Sequence, residues 1–98
     1  MQIIAKRTLR EFWLTHPLAE GSCRLWYARV SRAAWAGPAD VKREFGTSVD
    51  FVASSRVIFD LGGNKFRLVA KIDYRVGLVL IRFIGTHRAY DRIDPVTV

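Results

Sequence analysis

A chain of 98 residues is long enough for one modest core. Half of its residues are hydrophobic and three are Trp, a composition that excludes a disordered chain. Sixteen Lys and Arg against nine Asp and Glu leave a net charge of +7, so a polyanionic partner is expected, either nucleic acid or an acidic protein.

Cys23 is the single cysteine. It excludes an intrachain disulfide and a Cys-based metal site, and it points to a reducing, cytoplasmic compartment. No apolar run has the length of a membrane span, and the first residues lack the apolar core of a signal peptide. No repeat or low-complexity segment divides the chain, and residues 1–98 are read as a single domain.

Met1–Ile4 is short and apolar, either a first strand at a sheet edge or a lead-in. Lys6 to about His16 reads as a helix, because Leu9, Phe12, Trp13 and His16 recur at helical spacing and the charged residues lie off that stripe. Pro17 closes it. Leu18 to Trp35 is a second helical pattern with Leu25, Trp26, Arg29, Val30 and Ala33 as the inner stripe. Gly37-Pro38 ends it, and Asp40–Phe45 reads as a short helix closed by Gly46. Thr47–Ser55 carries no clear period and reads as a loop. Cys23 has no His or Asp at a nucleophile-like spacing and reads as an ordinary small residue.

Arg56–Ile93 reads as three antiparallel strands followed by one helical turn. In the middle strand Lys65, Arg67, Val69, Lys71 and Asp73 point one way, and Phe66, Leu68, Ala70 and Ile72 point the other. A tight turn at Gly62-Gly63-Asn64-Lys65, with Gly63 and Asn64 at positive φ, pairs Leu61 with Phe66 and Phe59 with Leu68. It also sets Asp60 opposite Arg67. A four-residue loop at Tyr74–Gly77 pairs Ile72 with Val79, Ala70 with Ile81 and Leu68 with Phe83. That register puts Arg82 opposite Val69, so Lys65, Arg67, Lys71 and Arg82 share a basic face, and Arg75 lies in the adjoining loop. The fold class is therefore α+β, with two N-terminal helices packed on a small antiparallel sheet and a short C-terminal helical turn. The alternative for the basic face is a plain solvated surface.

Thr86 is suited to cap the final turn. His87 and Tyr90 share one side of that turn, and Asp91, four after His87, is placed to orient its imidazole. A histidine and a tyrosine beside several cations suit metal-free RNA cleavage. The ribose 2′-hydroxyl attacks the adjacent phosphorus, and cations stabilise the charge that develops. No carboxylate or histidine cluster for a metal is evident, and no cofactor is expected.

The chain resembles the HigB toxins of bacterial toxin–antitoxin systems. The matching stretches are V-I-F-D-L-G-G-N-K-F-R-L-V and I-R-F-I-G-T-H-R-A-Y-D-R-I, with R-L-W-Y and W-A-G-P-A-D-V-K earlier. Asp60 and Gly62 depart from the pattern, which often has Asn and Lys there. The resemblance implies a RelE-like fold and a ribosome-dependent mRNA endonuclease that needs no metal. It also implies a HigA-type helix-turn-helix antitoxin, with operator DNA bound only through the toxin–antitoxin complex. By resemblance Arg67 takes the scissile phosphate, His87 is general acid or base, and Tyr90 stacks or transfers a proton. Lys65, Lys71, Arg75 and Arg82 are RNA-binding cations. The competing reading is a basic module that binds RNA, ribosome or antitoxin without catalysis. A DNA-binding module fits less well, because no recognition-helix pattern is present.

Overall fold

A computed structural model describes all 98 residues. The elements in order are β1 (Gln2–Ile4), α1 (Lys6–Thr15), a 3₁₀ turn (Pro17–Ala19), α2 (Glu20–Arg32), α3 (Pro38–Phe45), a second 3₁₀ turn (Gly46–Ser48), β2 (Val49–Val52), β3 (Arg56–Leu61), β4 (Phe66–Asp73), β5 (Leu78–Thr86) and α4 (His87–Tyr90). The fold is α+β, with a five-stranded sheet in the order β1-β5-β4-β3-β2.

The sheet is mixed rather than purely antiparallel. β1 is a true edge strand and runs parallel to β5, pairing Gln2 with Leu78 and Ile4 with Leu80. β2 falls in the stretch that reads as a loop, and it pairs antiparallel with β3, Val49 opposite Phe59. Its four residues are too few, and too closely flanked by Ser and Thr, to carry a legible alternation.

The β3–β4 hairpin has the expected register, with Leu61 opposite Phe66, Asp60 opposite Arg67 and Phe59 opposite Leu68. Its positive-φ residues are Gly62 and Gly63, not Gly63 and Asn64. The β4–β5 hairpin pairs Ile72 with Val79 and Ala70 with Ile81, as its loop length predicts. Beyond that point the register shifts, so Val69 faces Phe83 and Leu68 faces Ile84. Arg82 is the extra residue of a β-bulge. The expected pairing of Leu68 with Phe83 is therefore wrong. The shift sends Ile84 toward the helices, where it packs on the core, and turns Phe83 to the opposite face.

The helix-covered face holds the core. Leu9 and Trp13 of α1 and Cys23, Trp26 and Val30 of α2 meet Phe59, Leu61, Phe66, Leu68, Ala70 and Ile72 of the sheet. Trp26 lies edge-on to Phe59 at 5.4 Å, and Phe45 does the same at 5.0 Å. Each such side chain contributes roughly 1.5–3 kcal/mol through burial. The second helix is shorter than its pattern suggests. The chain leaves it at Ala33 with extended dihedrals, and Trp35 reaches the core from the following loop. Leu25 is exposed, and Cys23 takes the inner position instead. α2 begins at Glu20 without a side-chain cap. No helix is long and apolar enough to cross a membrane.

Candidate functional site

The second face of the sheet carries the charged residues of β3 and β4. At its β5–α4 end three elements meet around Arg67. Arg67 Nε lies 2.8 Å from Asp60 Oδ1, and both side chains are largely buried. Neither atom has an aligned hydrogen-bond partner, so the contact is an ion pair held by cross-strand register. Arg67 Nη2 also donates to Asn64 Oδ1 at 2.8 Å, and the guanidinium stands 5.2 Å from the centre of the Tyr90 ring. Of the five donors of a guanidinium, one Nη2–H is bonded to Asn64 and the Nε–H is buried against Asp60 without an aligned bond, so the other three remain for an anion.

Gly85 is the β5 partner of Arg67. A Cβ there would come within 2.6 Å of the Phe83 ring and 3.3 Å of Ala89 Cβ. Only glycine lets Phe83 and α4 close over this point. The Phe83 and Tyr90 rings then meet at 6.4 Å. Thr86 caps α4 as its sequence position predicts, its Oγ1 accepting from Ala89 N at 3.1 Å. His87 N donates to Lys65 O at 3.1 Å, which ties α4 to the β3–β4 turn. His87 Nδ1 lies 3.3 Å from Asp91 Oδ2, and the imidazole is 41% exposed. Nδ1 faces the Asp91 carboxylate, and Nε2 is the ring nitrogen without a carboxylate neighbour.

The electrostatics separate the roles of these groups. Burial raises the pKa of Asp60, Arg67 partly offsets this, Asp50 of β2 adds to it, and His87 opposes it. Burial likewise raises that of Tyr90, against Arg67 and with Asp50, Asp60 and Asp91. Tyr90 is therefore a neutral phenol at neutral pH, able to donate a proton or to stack.

The seven residues singled out from the sequence do not converge on one point. Arg67 and Tyr90 are in contact, and the backbone bond from His87 N to Lys65 O holds the other two at the same end of the sheet. Lys71 lies four residues along β4, about 13 Å away at 3.3 Å per residue. It lines a separate cleft of about 490 Å³ with Tyr74, Arg75, Leu78 and Leu80. Arg82, displaced by the bulge, sits between the two and donates from Nε to the Val98 backbone oxygen at 3.3 Å. The sequence reading missed Asn64 as a partner of Arg67, and it missed Phe83 and Asp50. The Asn-for-turn signal hid the first, the bulge the second, and the short β2 the third. No group of three or more His, Cys, Asp or Glu side chains is arranged to hold a metal.

Residues 19–93 match the family model of the HigB toxin, the RelE-like toxic component of a toxin–antitoxin system. The chain belongs to the HigB toxin family. The match runs from the start of α2 through α4 and so encloses every residue of the site, while β1 and α1 precede it. Membership of the HigB toxins gives the chain a toxic activity and an antitoxin as partner. A search among curated proteins found no match.

Proposed function

We propose that this HigB-family toxin is an mRNA endonuclease that acts on messages being translated, without a metal, and so inhibits translation. The observation that carries the reading is the half-exposed His87, set 3.3 Å from Asp91 in the same short helix whose Tyr90 ring stands 5.2 Å from the Arg67 guanidinium. In this reading the ribose 2′-hydroxyl attacks the adjacent phosphorus, and the P–O5′ bond breaks. The products are a 2′,3′-cyclic phosphate and a 5′-hydroxyl end. Arg67 binds the scissile phosphate and stabilises the pentacovalent transition state. His87 transfers a proton as base or acid, and the neutral Tyr90 phenol donates or stacks on a base. Lys65 supports the transition state from solvent. Lys71, Arg75 and Arg82 hold the RNA backbone further along the face. Residues 1–98 act as one toxin domain in the cytoplasm. The antitoxin is of the HigA type with a helix-turn-helix domain, and operator DNA is reached only through the complex.

The test is 5′-end mapping of one defined mRNA, with and without translating ribosomes. Cuts are expected only with ribosomes, and His87→Ala should lower them about 10²–10⁴-fold, the usual worth of general acid–base catalysis. The pairing of Arg67 with Asp60 favours a second reading, a basic module that blocks translation by binding alone. Translation arrest that survives His87→Ala with no new RNA ends would establish that alternative.

A further inference from the structure

Ile58 of β3 and Val69 of β4 are buried, yet they lie on the face away from the helices. The segment after α4 folds back over this face. Residues Asp94–Val98 form a self-bonded turn, in which Val98 N donates to Asp94 O at 2.9 Å and Val96 N to Asp94 Oδ1 at 3.0 Å. Arg56 opens β3 and is the cross-strand partner of Lys71. Its side chain is 8% exposed. Its Nη1 donates to Pro95 O at 3.2 Å and also to the Val98 backbone oxygen, while its Nε is buried without a partner. Arg82 donates to that same Val98 oxygen from the bulge.

Arg56, Lys71 and Arg82 thus meet on one face with no ion pair among them to any carboxylate. The nearby carboxylates are spent elsewhere. Asp60 pairs with Arg67, Asp73 accepts from Arg75 N at 3.1 Å, and Asp94 holds its own turn. Two guanidiniums, those of Arg56 and Arg82, point at the same Val98 oxygen. Arg56 is buried with its Nε unpartnered, whereas Arg82 and Lys71 are exposed beside it, so an anion arriving from solvent can complete the site.

We propose that Arg56, Lys71 and Arg82 form a second phosphate seat for the RNA backbone, which the Asp94–Val98 turn fills until RNA displaces it. The proposal rests on the RNA reading of this face and adds where the strand runs. The Arg56–Lys71 pair is about 13 Å from Arg67, the length of roughly four stacked nucleotides at 3.4 Å each. Beyond it lies the cleft of Tyr74, Leu78 and Leu80, apolar enough to take a base and flanked by Arg75. A strand that passes from Arg67 to this cleft crosses the seat.

The test uses the full ¹⁵N-labelled chain and a 2′-O-methyl RNA octamer, which lacks the attacking hydroxyl and stays intact. The Nε–Hε signals of Arg56 and Arg82 and the amides of Thr97 and Val98 should shift together and saturably. Arg82→Gln should weaken the octamer about tenfold, leave Tm unchanged, and reduce the salt dependence by about 0.7 in the log–log slope. The proposal is overturned if the Asp94–Val98 amides stay put at saturation, if no saturable shift occurs, or if Arg82→Gln binds like the wild type. It is equally overturned if a polyglutamate peptide displaces the turn and the octamer does not, since the seat would then serve an acidic protein. Failure of the cleavage reading is seen separately, on ribosomes with His87→Ala. A protein that cuts nothing but whose turn yields to the octamer keeps the seat and loses only the chemistry.

Discussion

Asp60 sets the working charge of Arg67. Its pKa is raised because burial outweighs the attraction of Arg67, so the folded protein holds the Asp60 proton to a higher pH than the unfolded chain does. The contribution of Asp60 to stability is therefore greatest below the carboxylate range and is lost as pH rises through the raised value. Asp60→Asn removes that loss. Urea unfolding at pH 3 and pH 7 should show the variant gaining on the wild type as pH rises. RNA should bind the variant several-fold more tightly at pH 7, because Arg67 is no longer neutralised. Cys23 gives a second expectation. Burial lifts its thiol to about 11, so it should resist alkylation in the native protein at pH 8 and react at once in urea. Both sets of partners differ in how far the sequence reveals them. The Asp60–Arg67 pair follows from strand alternation and a tight turn. The bond from Arg67 to Asn64, and the burial of Arg56 under a distant turn, depend on contacts that no local period encodes.

At the scale of elements, α4 is the weak member. It has four residues and relies on the Thr86 cap and on the bond from His87 N to Lys65 O. Thr86→Ala should cost about 1 kcal/mol and expose the Ala89 amide to faster hydrogen exchange. If the protein cleaves RNA as proposed, the change should also lower cleavage, since His87 and Tyr90 would lose the capped turn that holds them. The cap is legible because Thr directly precedes the turn. The bulge in β5 is not. Leu80, Arg82 and Ile84 alternate with Ile81 and Phe83 without interruption, so period-two patterning continues across a register shift. The inner face of α2 is ambiguous for a related reason. Leu25 and Cys23 both sit near Trp26, and only packing against the sheet decides that Cys23 turns inward.

Across the molecule, Phe59 joins the layers. It meets Trp26, Phe45 and Trp35 on the helix side and pairs with Val49 and Leu68 in the sheet. Phe59→Ala should cost about 3–5 kcal/mol, a large share of the roughly 5–15 kcal/mol that holds a domain folded. At about 4–8 °C per kcal/mol, Tm should fall by more than about 12 °C, measured by circular dichroism. The helix-covered core is legible because its stripes are strong, whereas β1 as a parallel edge is not, because its partner lies at the far end of the chain. That partnership orders the events of synthesis. Gln2–Ile4 emerge first but have nothing to pair with until Leu78–Leu80 follow. At about 5–20 residues per second the edge waits roughly 4–15 s. His87 and Tyr90 come later still, behind β5. The site proposed for this toxin is thus assembled only after β5 and α4 have been made, which leaves time for an antitoxin to be present when the sheet closes.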